Sequence, residues 1–291
     1  VSTPLSIDFD GTMHLGTGRA EGLLNRTVRR SADGRPYVPG SALKGALRMT
    51  AERLVRQLNV ANTLDPMVHL GRRRRGQDIL DARCHAPHPK EMCQSEAPCI
   101  VCRVFGNVFT GTRLHVDDAV PGPGPLRESM TKLLALQAED SNDSKPTSRP
   151  ESQRDQSRAS AVDVLTRLSV DRRRKGAKKG ALFTSEYSRP ESTFQTSVSG
   201  ALPWTPLSLD GRDDLSAELV LLAATLMATD QIGGEATTGH GQCTIRPRGD
   251  TTFAAAGQEN SVSVQEDDFA PTFLTKDALE SLSLIGWQDV M

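Results

Sequence analysis

PGSALKGALRMTAERLVRQL, residues 39–58, is the stretch on which the fold turns. Pro39 and Gly40 make a turn, and the Ser41 hydroxyl is placed to accept a hydrogen bond from an unpaired amide of a first helical turn. From there Leu43, Leu47, Ala51, Leu54 and Leu58 recur at helical spacing as one apolar stripe, with Lys44, Arg48 and Arg56 off it. The reading is a capped amphipathic helix. On its amino-terminal side Leu5, Ile7 and Phe9 alternate with Ser6, Asp8 and Asp10, the period-2 pattern of a half-buried strand, before Gly11 and further glycines begin a loop. On its carboxy-terminal side Leu114 and Val116 alternate with His115 and Asp117 as a second strand. Residues 168–171 and 182–187 then flank a basic run like the arms of a long hairpin, and residues 194–198 return as a strand. Residues 215–228 carry Leu219, Leu222, Leu226 and Met227 as a second amphipathic helix, and residues 241–246 form a last strand. Strand, helix, strand, excursion, strand, helix, strand is the β-α-β-β-α-β order. The predicted fold class is therefore α+β, ferredoxin-like, a scaffold many RNA-recognition modules use. Fold alone does not assign a function.

Composition narrows the classes. Hydrophobic residues make up 37% and aromatics only 4%, enough for one core but leaving much of the 291-residue chain outside it. No stretch approaches the roughly 20 apolar residues that cross a bilayer, so the expectation is a cytoplasmic protein with no membrane partner. The formal net charge of −1 conceals a segregation. Residues 167–179 hold Arg167, Arg172, Arg173, Arg174, Lys175, Lys178 and Lys179 against Asp171 alone, whereas residues 250–291 are acidic with Lys276 as the only cation. Such separation points to a polyanion at one face.

Three motifs carry chemistry. Cys84, Cys93, Cys99 and Cys102 fall within 19 positions and end in the C-x2-C knuckle CIVC, a spacing that suits a tetrahedral zinc. Four thiolates would saturate the ion, so the zinc is expected to be structural; His85 or His88 can replace Cys84 as the fourth ligand. The loop IGGEATTGHGQC carries Gly233, Gly234, Gly239 and Gly241, which let backbone amides approach a phosphate; lacking the following Lys-Ser or Lys-Thr, it is not a P-loop. The start of the first helix offers unpaired amides with Lys44 and Arg48 one turn apart, a second place for a phosphate.

PYVPGSALKGALR, CIVCRVFG running into RLHVDDA, the segment from SVDRRRKG to FTSEY, and GGEATTGHG together resemble, in matching order over residues 5–247, the backbone subunits of type III CRISPR interference complexes. These belong to the RAMP superfamily of modified RNA-recognition domains. The resemblance implies a palm in two halves (1–58, with a catalytic-type loop, and 196–247, with the glycine-rich loop) and a zinc-stabilised lid inserted at 59–111. It further implies a palm strand and flexible excursion at 112–159, a hairpin thumb at 160–195 and an acidic extension at 248–291. It implies that CRISPR guide RNA, complementary target RNA and other type III effector subunits, including neighbouring backbone subunits, are the partners. Ser41, Lys44, Arg48 and the loop from Gly233 to Gly241 would meet the guide. Arg172, Arg173 and Arg174 at the thumb tip would touch phosphate without reading sequence, which base pairing reads instead.

The same resemblance implies an aspartate after a glycine in the loop following the first strand, where active members cleave target RNA with Mg²⁺. Here Gly22-Leu23-Leu24-Asn25 sets Asn25 at that position. An amide neither accepts a proton as a carboxylate does nor holds a divalent cation comparably, so cleavage by this chain is expected to be impaired. Two other functions fit parts of the pattern: a guide-processing endoribonuclease of the same superfamily, and a zinc-containing RNA-binding module outside CRISPR.

Overall fold

The structure is a computed structural model that describes residues 1–20, 24–31, 34–62, 98–109, 111–122, 162–171, 173–189, 193–205, 215–253 and 262–275. Strand β1 (Ser2–Phe9) runs through the middle of an antiparallel sheet. Leu5, Ile7 and Phe9 enter the core while Ser6 and Asp8 lie on the other face, as the alternation predicts. On one side β1 pairs with β6 (Thr193–Gly200), setting Ile7 opposite Phe194; on the other it pairs with β7 (Cys243–Pro247), setting Ile7 opposite Ile245. Beyond β6 lie β2 (Leu114–Val116) and β3 (Val120–Pro121). Taking β1, β2, β6 and β7 as the four strands of the repeat, their lateral order is fourth, first, third, second. This is the split β-α-β arrangement expected of the strand and helix order.

Helix α1 (Gly40–Asn62) packs Leu43, Leu47, Ala51 and Val55 into the core. The buried row is a strict four-residue spacing, so Val55 takes the place expected of Leu54, which is only half-buried. A Cβ at position 40 would lie 2.1 Å from the Val116 carbonyl oxygen, so only glycine lets the helix start against β2. Helix α3 (Ala217–Ala228) is capped by the Ser216 Oγ, which accepts from the Leu219 amide at 3.2 Å. Rather than half-exposed, this helix is buried on nearly every side. Its one carboxylate, Glu218, is fully buried, accepts from the amide and hydroxyl of Thr205 (2.9 and 2.8 Å) and pairs with Arg103.

Three regions depart from the sequence reading. Within the stretch 59–111, for which the sequence predicts no regular element, Ile100–Phe105 is a helix, α2, whose Ile100, Val101, Cys102, Val104 and Phe105 are all buried. Its six residues are too few for helical periodicity to show. The acidic extension contributes β8 (Thr251–Phe253), β9 (Val262–Val264) and α4 (Phe269–Phe273). Phe253, Phe269 and Phe273 pack edge to face there and join the main core. The basic run is flanked by longer arms than expected, β4 (Val162–Asp171) and β5 (Gly176–Ser188), which form a separate two-stranded sheet with a bulge between Leu168 and Val170. Among the described residues, no helix is long and apolar enough to cross a membrane.

Candidate nucleic-acid interface

The base of the β4–β5 hairpin, the loop after β1 and the glycine-rich loop after α3 meet in one polar cluster. The glycine-rich loop lies on the β1 loop through the amides of Gly234 and Gly241, which donate to the carbonyls of His14 (2.9 Å) and Thr12 (3.0 Å). Gly241 sits at φ +77°, where a Cβ would lie 2.1 Å from the Ile232 carbonyl oxygen. Between the glycines, Glu235 adopts the left-handed conformation (φ 62°, ψ 31°), which costs a side-chain-bearing residue about 1 kcal/mol or more.

The Glu235 carboxylate offsets that cost. Its Oε1 accepts from Arg26 and its Oε2 from Arg167 and from the Tyr187 hydroxyl, each at 2.7 Å. Arg167 also bonds the His240 ring and stands over the Tyr187 ring, 5.1 Å from its centroid. His240 stacks on Tyr187 at 4.5 Å, and its Nδ1 is 2.7 Å from the Thr12 hydroxyl. Beside them His14 donates from Nδ1 to the Glu186 carbonyl at 2.7 Å, which fixes its tautomer. Burial pushes the Glu235 carboxyl upward, but the Tyr187 hydrogen bond and the charges of Arg167, Arg26 and His14 outweigh it and hold it below the usual carboxylate value. Tyr187 moves the opposite way, raised first by burial and then by its bond to Glu235. One carboxylate thus joins three chain segments far apart in sequence.

Asn25 stands at the edge of this cluster. Its backbone amide donates to the Thr184 carbonyl and its Oδ1 accepts from the Thr184 amide, both at 2.8 Å, so the exposed side chain is held against β5. The next contacts continue the clamp: the Glu186 amide donates to the Arg26 carbonyl, and the Glu186 carboxylate takes the Val28 amide (3.0 Å) and Arg30 (2.9 Å). An aspartate at position 25 would keep the Thr184 acceptor. Gly22 lies outside the described residues.

Ser41, Lys44 and Arg48 belong to a second neighbourhood. Ser41 is exposed on the first turn of α1, where the Gly40 amide is already taken by the Asp118 carboxylate at 2.7 Å. The Lys44 ammonium donates to the Leu114 carbonyl at 2.9 Å, and its pKa is lowered by burial and then by the Arg48 charge. Arg48 bonds Glu52, the Gly106 carbonyl and the Cys102 sulfur. Burial opposes the Arg48 charge, but Cys102 and Glu52 raise its pKa nonetheless. Both cations therefore fasten α1 to β2 and α2.

Of the four candidate zinc ligands, Cys99 and Cys102 are described and Cys84 and Cys93, with His85 and His88, lie outside the described residues. Cys99 is the N-cap of α2 and Cys102 its third residue, and both thiols are buried. A C-x2-C pair at a helix start suits a shared metal; the described residues alone hold no complete set of ligands. Cys243 stands apart in the core, its thiol pushed up to about 12 by burial and then by Asp230 and Asp10, so it is inert.

At the far end of the hairpin the cations are unlike those at its base. Residues 173–178 are exposed, and Asp171 Oδ1 accepts from the amides of Arg173 (2.9 Å) and Arg174 (3.2 Å), which shapes the tip. Arg172 lies outside the described residues. Sequence reasoning missed Arg26, Arg167, Tyr187, Glu235 and His240 as a unit. The available signal was a single carboxylate inside a glycine-rich loop, where a turn needs none.

An antiparallel sheet of split β-α-β order, carrying a basic-tipped hairpin, defines the chain as an α+β protein. The sequence profile of the RAMP superfamily matches residues 7–244, and the chain belongs to that superfamily. No curated protein shows significant sequence similarity to it. Among solved structures it is similar to a chain of the type III-B Cmr-β complex bound to cognate target RNA (15% identity, TM-score 0.47, covering 84% of this chain and 96% of that one). It is also similar to a chain of a type IV-B CRISPR complex (16% identity, TM-score 0.45, covering 89% and 96%).

Proposed function

We propose that this RAMP-superfamily chain is a guide-RNA-binding backbone subunit of a type III CRISPR effector complex, holding complementary target RNA in place while its own cleavage site is impaired by Asn25. The observation that carries the reading is the hairpin: a ribbon projecting its cations at residues 173–178, anchored at its base by Arg167 and Tyr187 to Glu235. Exposed cations at the end of a ribbon meet phosphates without reading bases. In this reading Ser41 and the glycine-rich loop lie along the guide, and Lys44 and Arg48 act on it mainly through the helix they fasten. Cys84, Cys93, Cys99 and Cys102 hold a structural zinc, whose bound form would tie the lid to the start of α2; Mg²⁺ would serve target cleavage where a carboxylate is present.

Co-expression with a guide and the other subunits of a type III complex tests the assignment. The chain should co-purify with the guide, and RNA affinity should fall steeply with salt; a chain that joins no complex and binds no RNA would refute it. Metal analysis should give one zinc per chain.

A second reading, a guide-processing endoribonuclease, is favoured by His14, Tyr187 and His240 lying together, since imidazole and phenol can act as acid and base. All three are buried at 8% exposure or less and bonded within the cluster, which leaves them little access to a phosphodiester. Metal-free cutting of repeat RNA that is abolished by His240→Ala would favour this reading instead.

A further inference from the structure

The loop after β1 folds back as a short antiparallel ribbon: Gly16 bridges Val28, the Thr17 amide donates to the Thr27 carbonyl at 3.0 Å, and the Arg29 amide to the Leu15 carbonyl at 2.8 Å. Val28 is buried beneath the ribbon, so by alternation Thr27 and Arg29 belong to its other face. On that face opens a cleft of about 480 Å³ lined by Thr17, Arg19, Ala20, Thr27 and Arg29. The two threonine hydroxyls bond each other at 2.7 Å, and Thr17 Oγ1 also accepts from the Arg19 amide at 3.1 Å, which fixes the floor. Arg19 and Arg29 are exposed on either strand of it.

The charges in this ribbon are treated in two ways. Arg26 and Arg30 are matched to carboxylates, Glu235 at 2.7 Å and Glu186 at 2.9 Å. Among the described residues, Arg19 and Arg29 form no ion pair and the cleft between them is lined by no acid. Two exposed guanidinium groups around a hollow whose described lining is hydroxyl-bearing and without an aromatic side chain suit phosphate oxygens rather than a stacked base.

We infer that the Arg19–Arg29 cleft is a binding site for the phosphodiester backbone of single-stranded RNA, two residues along the chain from the clamp at Asn25. The inference rests on the proposed RNA-binding function and assigns it a site. The strand carrying Thr27 and Arg29 is the one that carries Asn25, so RNA seated in the cleft passes beside that position.

The test measures binding of a labelled, mixed-sequence single-stranded RNA of about 20 nucleotides to the full chain over a range of salt concentrations. Each phosphate contact to a single strand contributes about 0.7 to the slope of log affinity against log salt. Arg19→Ala with Arg29→Ala should therefore flatten the slope by about 1.4 if each holds one phosphate. Arg53→Ala with Arg248→Ala removes the same charge from exposed positions elsewhere and should leave the slope alone. Lysine at 19 and 29 should restore most of it. An alanine variant with the unmodified slope overturns the site while leaving the RNA-binding function standing; loss in the lysine variant equal to that in the alanine variant also overturns it, because the arginines would then act through the fold. No RNA binding by the unmodified chain overturns the function and the site together.

Discussion

The two ends of the β4–β5 hairpin use the same kind of residue for opposite purposes. At the base, Arg167 is matched by Glu235, bonded to His240 and stacked over Tyr187; at the tip, residues 173–178 stand in solvent. An arginine whose donors are satisfied inside the protein has little left for a phosphate, so it fixes geometry instead. A run of basic residues is thus not a map of RNA contacts: the run that begins at Arg167 contains both an internal strut and cations left in solvent.

If the base only positions, then restoring chemistry beside it should need a single atom change. Asn25→Asp keeps the Thr184 bond and supplies a carboxylate, and general-base assistance is worth about 10²- to 10⁴-fold. In the assembled complex with Mg²⁺ it should create a new cut in complementary RNA at this subunit's position, mapped by gel against the unmodified chain. Equal cutting by both would place the catalytic group elsewhere.

The tip can be broken separately. Replacing Arg173, Arg174, Lys175 and Lys178 with alanine should lower the salt slope of single-stranded RNA binding by about 3, at about 0.7 for each phosphate, while the urea midpoint stays put. A shifted midpoint would mean the tip is structural after all.

The converse holds for the base. Glu235→Ala leaves Arg26, Arg167 and the Tyr187 hydroxyl without their acceptor and should cost about 2 kcal/mol in urea unfolding, less than a fully buried pair because Arg26 is half exposed. The smallest effect is the pH dependence. Because the folded Glu235 carboxyl lies below its ordinary value, the unfolded chain takes up its proton first as pH falls, so stability declines through the acid range toward the folded value. Glu235→Gln should flatten that decline in urea midpoints measured from neutral to acid pH.

Patterns that repeat within one element were legible in the sequence. The alternation of Leu5, Ile7 and Phe9 and the stripe of Leu43, Leu47 and Ala51 gave β1 and α1 because period alone reveals which face is buried. Helix α2 escaped because a six-residue apolar run shows no period, and β8 and β9 because three residues each give no alternation to count. The Glu235 cluster escaped for another reason. Arg26, Arg167, Tyr187, Glu235 and His240 come together only once the sheet has closed, and nothing local in any one segment signals the others. Lys44 and Arg48 illustrate the reverse: their spacing was plain, but where their donors point depends on the Leu114 and Gly106 carbonyls, which sequence does not place.

The position of β1 at the centre of the sheet also sets an order on folding. Its partners are residues 193–199 and 243–247, so Ile7 has a strand on either side only after about 240 further residues exist. On a ribosome the first strand therefore leaves with both edges bare, and pairing between segments so distant in sequence is slow because a long loop must close before any ladder forms. Helix α1 forms locally in the meantime, while the exposed edges of β1 are open to pairing with other chains. A nascent chain stopped short of residue 193 lacks both neighbours of β1, and one stopped between there and residue 243 still lacks one, so truncated forms of this protein are open to aggregation through that strand.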